Sequence, residues 1–209
     1  MKSEIKKLAA LLFAALVFAP AMAQAQARAA YTELKPPLPV EAEGKIEVLE
    51  FFWYGCIHCY NLEPVLEPWL KKLPAEARFR RVPAIFNDRW AHDATIYYTF
   101  EVFGVLDKLH RPFFDAIHRD RLRTDDPKAL AEWLQKQGLN PQKFTETMKS
   151  FGVQSKTRRA AMLTSAYKID GTPAMAVHGR YTVSTEQGRT FGGMLESVSS
   201  LVDQLRKKQ

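Results

Sequence analysis

At 209 residues with 46% hydrophobic side chains, the chain suffices for one compact domain carrying an insertion. Its formal charge of +7 is dispersed among acids, as in Arg78-Phe79-Arg80-Arg81, Arg119-Asp120-Arg121-Leu122-Arg123 and Arg158-Arg159. That pattern reads as solvated surface and argues against a nucleic-acid partner.

Residues 1 to 23 read as a signal peptide. Lys2, Lys6 and Lys7 start it, Leu8 to Phe18 form an uncharged apolar core, and Ala21-Met22-Ala23 is a small-x-small cleavage site, with Ala25 and Ala27 as alternatives. The apolar run is short for a membrane span, and an uncleaved anchor is the lesser reading. Cleavage removes three lysines and one glutamate, taking the formal charge from +7 to +5. An exported chain with one cysteine pair belongs where disulfides persist.

Residues 24 to 43, with Pro36-Pro37 and Pro39, read as an extended lead-in that ends at Gly44. Ile46 to Trp53 reads as a strand that is apolar on both faces, which places it inside a sheet. Glu50 interrupts the side shared by Val48 and Phe52. A carboxylate there is expected to be desolvated, with a raised pKa, and stands where it could relay a proton to a thiol at the strand's end. The competing reading is an ordinary acid on a wet face.

Cys56 and Cys59, the only cysteines, follow at once in Gly55-Cys56-Ile57-His58-Cys59-Tyr60. Three apart on a helix, they share a face and can form a disulfide. If the helix starts near Cys56, that thiol meets unpaired N–H groups and the positive end of the dipole, which favour its thiolate. Cys59, one turn in, is expected to be shielded and to resolve. His58 can donate a hydrogen bond or positive charge to Cys56. Stabilising the reduced, anionic form makes the disulfide easier to reduce, and so makes the oxidised protein a disulfide donor. A structural disulfide or half a zinc site are the bland alternatives. So short a loop stabilises little, and zinc would need two more ligands from scattered histidines.

Leu62, Leu66, Trp69, Leu70 and Leu73 keep a helical period to Pro74, with a kink or break expected at Pro64 and Pro68. Ala77 to Phe86 is a second strand, parallel to the first by default. Helical patterns then run through Trp90 to Phe103 and Leu109 to Ile117, with Pro112 starting or kinking the latter. Asp126-Pro127 and Asn140-Pro141 each read as a cap followed by a first-turn proline. The aromatics of this region read as core, and His92, His110 and His118 as packing or surface residues. Val153 to Lys168 reads as a long helix, Ala174 to His178 and Tyr181 to Ser184 as a hairpin about Gly179-Arg180, and Gly193 to Lys207 as a last amphipathic helix.

In this order, Val48-Leu49-Glu50-Phe51-Phe52, Cys56-x-His58-Cys59-Tyr60 and Gly171-Thr172-Pro173-Ala174 make the chain resemble the DsbA-type thiol:disulfide oxidoreductases of the thioredoxin superfamily. The resemblance covers nearly all of residues 24 to 209. It implies an α/β, thioredoxin-like fold with an inserted all-helical domain: a first part over residues 24–87, the insert over 88–152 and a second part over 153–209. It further implies a cis Pro173 beside the disulfide, with the Thr172 backbone open to an extended substrate. By the same resemblance Cys56 is the nucleophile, Cys59 the buried resolving thiol, His58 the thiolate stabiliser and Glu50 the buried carboxylate. The insert caps the site and walls an apolar peptide groove. Ile57 stands where a proline is more familiar, and Thr172 is also a residue of disulfide isomerases, but about twenty residues leave no room for their dimerisation domain.

The expected function is a periplasmic oxidase that donates the Cys56–Cys59 disulfide to reduced, newly exported polypeptides through a mixed disulfide. By resemblance it is recycled by a quinone-linked inner-membrane protein of the DsbB kind. No bound cofactor or metal is needed and a monomer is expected. A reductase or isomerase of the same fold is the first alternative, distinguished by its potential. A metal-binding or holdase protein is the second, distinguished by metal titration.

Overall fold

Ile46–Phe52 is buried at all seven positions, as a strand with large apolar groups on both faces must be. In the computed structural model, which describes residues 30–42 and 44–208, it is one of five strands. These are β1 (Thr32–Glu33), β2 (Ile46–Phe52), β3 (Ala77–Pro83), β4 (Ala174–Val177) and β5 (Tyr181–Ser184), in the order β1-β5-β4-β2-β3. β2 is parallel to β3 and antiparallel to β4. The expected signal peptide lies outside the described residues.

Eight helices accompany the sheet among the described residues: α1 (Ile57–Leu70), α2 (Asp88–Val102), α3 (Leu106–His118), α4 (Pro127–Lys136), α5 (Pro141–Met148), α6 (Phe151–Ala166), α7 (Thr185–Gly188) and α8 (Phe191–Arg206). Two apolar clusters hold them. In one, Ile46, Val48, Met175 and Val183 meet Leu62 and Leu66 of α1 and Val198, Leu201 and Val202 of α8. In the other, Leu49, Phe51 and Val82 meet Ile96, Phe100, Phe113, Phe114 and Phe144 from the helices between β3 and α6. Each such side chain contributes about 1.5–3 kcal/mol by leaving water. The chain therefore adopts a thioredoxin-like α/β arrangement, with a run of helices between its two halves.

Several local expectations hold for the physical reasons given. Asp126 and Asn140 cap α4 and α5 through their side chains, each with proline in the first turn. The expected break in α1 does not occur. The helix runs unbroken past both prolines, and the Tyr60 carbonyl, for which Pro64 has no N–H, accepts from Arg111 Nη1 at 3.3 Å instead. Pro112 likewise lies within α3 rather than starting it.

The hairpin turns one residue earlier than expected. His178 (φ 52°) and Gly179 (φ 65°) take left-handed conformations and Arg180 N donates to Val177 O at 3.0 Å, the primed geometry that matches strand twist. Gly179 also has no room for a Cβ, which would strike the Leu38 carbonyl of the crossing lead-in. That lead-in is not wholly irregular: β1 pairs with β5 as an edge strand.

Candidate active site

The residue preceding α1 is Cys56, its N-cap, with φ −85° and ψ 114°. A turn delivers it there: Cys56 N donates to Trp53 O at 3.0 Å, closing residues 53–56. The Cys59 amide donates to Cys56 Sγ at 3.4 Å, as a capping oxygen would be served. From the other side the thiol lies 3.3 Å from the Thr172 carbonyl, to which it donates when protonated. The Thr172–Pro173 peptide is cis, as the resemblance implied.

Both thiols are free in this structure, and their surroundings pull them apart. The hydrogen bond from the Cys59 thiol, then the Thr172 side chain and the amides of Cys59 and His58, outweigh partial burial and bring the Cys56 pKa down to about 5. Cys59 is fully buried, and burial, then the neighbouring Cys56, pushes its thiol well up. At neutral pH the first is a thiolate and the second a thiol.

His58 does not reach the nucleophile as expected. Its imidazole is exposed and makes no hydrogen bond to Cys56 among the described residues, because the side chain leaves α1 on the solvent side. Of His58, it is the backbone N–H that favours the thiolate, after the Cys59 thiol, the Thr172 side chain and the Cys59 amide. Ile57, 48% exposed, offers apolar surface beside the sulfur.

Glu50 is fully buried. Desolvation raises its pKa to about 8 against the opposing pull of Arg81. Arg81 Nε stands 3.1 Å from Glu50 Oε2, yet neither Glu50 oxygen has a well-aligned hydrogen bond among the described residues. Arg81 gives its aligned donor to Glu63 instead, Nη2 to Oε1 at 3.2 Å and to Oε2 at 3.1 Å. Glu63 also meets His110 Nε2 at 3.4 Å, and His110 Nδ1 is 3.0 Å from the Tyr54 hydroxyl. Although burial favours its neutral form, His110 and Arg81 hold Glu63 below the usual carboxylate range. Of the two carboxyls beside Arg81, Glu50 is thus the one whose pKa is raised, and its charge is felt at Cys59.

Arg81 corrects the expectation of a solvated surface for Arg78-Phe79-Arg80-Arg81: its side chain is only 20% exposed. Glu63 and His110 were not singled out as site residues either. A charged residue in an apolar strand needs a counter-charge, and the parallel register Glu50↔Arg81 supplies it, but that pairing spans two strands and a helix. Among the described residues no group of three or more His, Cys, Asp or Glu is placed to hold a metal ion.

A model of the DSBA-like thioredoxin domain matches residues 47–194. The chain belongs to that family. The thiol:disulfide interchange protein DsbA of Bordetella parapertussis is 44% identical over 200 residues, 95% of each chain, and that of Azotobacter vinelandii 40% identical over 179 residues, covering 86% of this chain and 84% of the relative. The crystal structure of Pseudomonas aeruginosa DsbA superposes with a TM-score of 0.81 at 36% identity, covering 86% of this chain and 94% of the other. The protein is thus a thiol:disulfide oxidoreductase that acts on substrate proteins, and Cys56-x-x-Cys59 is its one cysteine pair.

Proposed function

We propose that Cys56 is the attacked sulfur and that the protein runs as an oxidase, donating its disulfide to reduced polypeptides newly exported to the periplasm. The supporting observation is the contrast between a Cys56 thiol lowered to about 5 and a buried Cys59 thiol pushed well up. A substrate thiolate attacks Cys56 Sγ, forming a mixed disulfide and expelling Cys59 as a thiolate. That thiolate, poorly tolerated where it lies, takes a proton, and Glu50 is the donor. A second substrate thiolate then attacks the substrate sulfur of the mixed disulfide and expels the Cys56 thiolate. The substrate dithiol has lost two electrons, which the protein now holds as the Cys56 thiolate and the Cys59 thiol; of the two protons its thiols released, one replaces the proton Glu50 gave to Cys59 and the other stays in solvent.

The direction follows from the leaving group. Each unit by which the reduced form favours the Cys56 thiolate raises the potential by about 30 mV. Thr172, whose carbonyl lies at the sulfur, offers an extended substrate a main-chain partner there. In this reading Pro173 shapes that loop, residues 88–152 form a helical domain capping the site, and residues 24–87 and 153–209 make up the thioredoxin-like domain. A quinone-linked membrane oxidant of the DsbB kind restores the disulfide, and residues 1–23 direct export of a monomer. Equilibration with glutathione redox buffers tests it. An oxidising potential, well above that of the glutathione couple, is expected; a potential below it would make the protein a reductase.

A further inference from the structure

We propose that Asp93 and His118, from the helices between β3 and α6, are positioning residues that hold the turn of residues 53–56 in the shape that aims Cys56 at the start of α1. The proposal rests on the reading of Cys56 as the attacked sulfur and adds what keeps it in place. Neither residue touches the sulfur. His118 acts on the backbone that carries it, and Asp93 on the Trp53 side chain that confines that backbone.

His118 acts on the turn's centre. Its Nε2 lies 2.8 Å from the Tyr54 carbonyl oxygen. A carbonyl only accepts, so Nε2 carries the proton, and the bond fixes the plane of the peptide between Tyr54 and Gly55. The ring is itself held, stacked on Tyr60 at 4.9 Å and 22°. Tyr60 is fastened in turn, its hydroxyl donating to Asp115 at 2.8 Å and Arg111 lying 4.4 Å from its ring centre.

Asp93 acts on the turn's first residue. The Trp53 indole donates Nε1–H to Asp93 Oδ2 at 2.8 Å and stacks on Trp90 at 4.2 Å and 13°. The same indole covers Gly55 so closely that a Cβ there would overlap the ring. Gly55 is therefore confined by the ring, and Cys56 follows it. Asp93 is 1% exposed and is itself anchored by the Thr124 hydroxyl and, at 3.7 Å, by Arg89, which pairs with Asp125 at 3.2 Å. A buried carboxylate with these partners is a fixed point.

The consequence lies at the sulfur. The Cys59 amide reaches Cys56 Sγ at 3.4 Å, so a drift of a few tenths of an ångström in the turn loosens that bond and the contact with Thr172. A residue that only stabilised the fold would change melting without changing the thiolate.

The test is thiolate absorbance against pH in the reduced full-length protein, with melting temperatures taken in parallel. His118→Ala and Asp93→Ala are expected to raise the Cys56 pKa by about one unit. His118→Gln, which keeps an N–H donor, and Asp93→Asn, which keeps an acceptor, are expected to restore most of the wild-type value. Should Asp93→Ala fail to fold, Trp53→Phe deletes the same hydrogen bond and keeps a ring over Gly55. Wild-type Cys56 pKa values in His118→Ala and Trp53→Phe, with only melting lowered, would overturn the proposal. A wild-type protein whose own Cys56 titrates as an ordinary thiol would instead refute the oxidase reading on which it rests.

Discussion

Cys56 and Cys59 belong to one turn of one helix and carry the same chemical group, yet they are shifted in opposite directions. The rim of the site has hydrogen-bond donors that converge on sulfur: the Cys59 thiol, the Thr172 side chain and two amides at the helix start. The interior, three residues on, has Cys59 with no exposure, the Cys56 thiolate beside it and the acidic Glu50 within electrostatic reach. The same contrast recurs in the two acids sharing Arg81. Glu63 receives its aligned donors and is held down, whereas Glu50 receives charge without alignment and rises to about 8. Burial raises Cys59 and Glu50; at Cys56 and Glu63 hydrogen bonds and charge that favour the charged form outweigh it.

The largest expected effect comes from exchanging the roles of rim and interior. Cys56→Ser is expected to abolish disulfide exchange with a reduced peptide. Cys59→Ser is expected to leave a sulfur that still attacks an added disulfide and then accumulates as the mixed disulfide, seen by mass. Equal trapping by the two variants would erase the distinction.

Next in size is Glu50→Gln. If Glu50 moves the proton for Cys59, stopped-flow exchange is expected to slow roughly 100-fold or more. Stability responds as well. The Glu50 pKa is raised from 4.5 to about 8, so its contribution is fully present below pH 4.5 and is lost as pH rises through 8. Burial is the leading cause and acts in both redox forms. The oxidised wild type is therefore expected to lose a few kcal/mol between pH 4.5 and 8 that Glu50→Gln retains, as followed by denaturant unfolding.

A pH-dependent stability effect of similar size is carried by Cys56 itself. Its folded pKa is depressed from 9.0 to about 5, so it stabilises the reduced form fully above pH 9 and loses this as pH falls through 5. Cys59, shifted upward, is a thiol folded or unfolded below pH 9 and adds no slope there. The reduced-minus-oxidised stability difference is expected to shrink steadily from pH 9 to pH 5. A flat difference would contradict it.

Least is expected of His58→Ala. The exposed imidazole is screened by water and the backbone amide survives the substitution, so the Cys56 pKa is expected to move by less than about half a unit. A larger rise would return the side chain to the role that its position between the cysteines suggested.

The legible parts of the molecule are those whose cause is local. The two-faced apolar run of Ile46–Phe52, the Asp-Pro and Asn-Pro helix starts and the placement of Cys56 at a helix N-terminus each depend on a few neighbouring residues. Glu50 was legible as buried because its own strand is apolar. Arg81 was not, since its sequence neighbours are basic and its partners come from β2 and α1. The partner that the Tyr60 carbonyl finds in place of the missing Pro64 N–H is Arg111, 47 positions further on, which the local pattern of α1 does not reveal. β1 is two residues long and is defined by a partner near the other end of the chain.

Spectroscopic titration of the Cys56 thiolate in the reduced wild-type protein probes the source of the oxidising direction. A midpoint of about 5 is expected. A midpoint at the ordinary thiol value of about 8.5 would contradict it and leave the disulfide with no reason to pass to substrate.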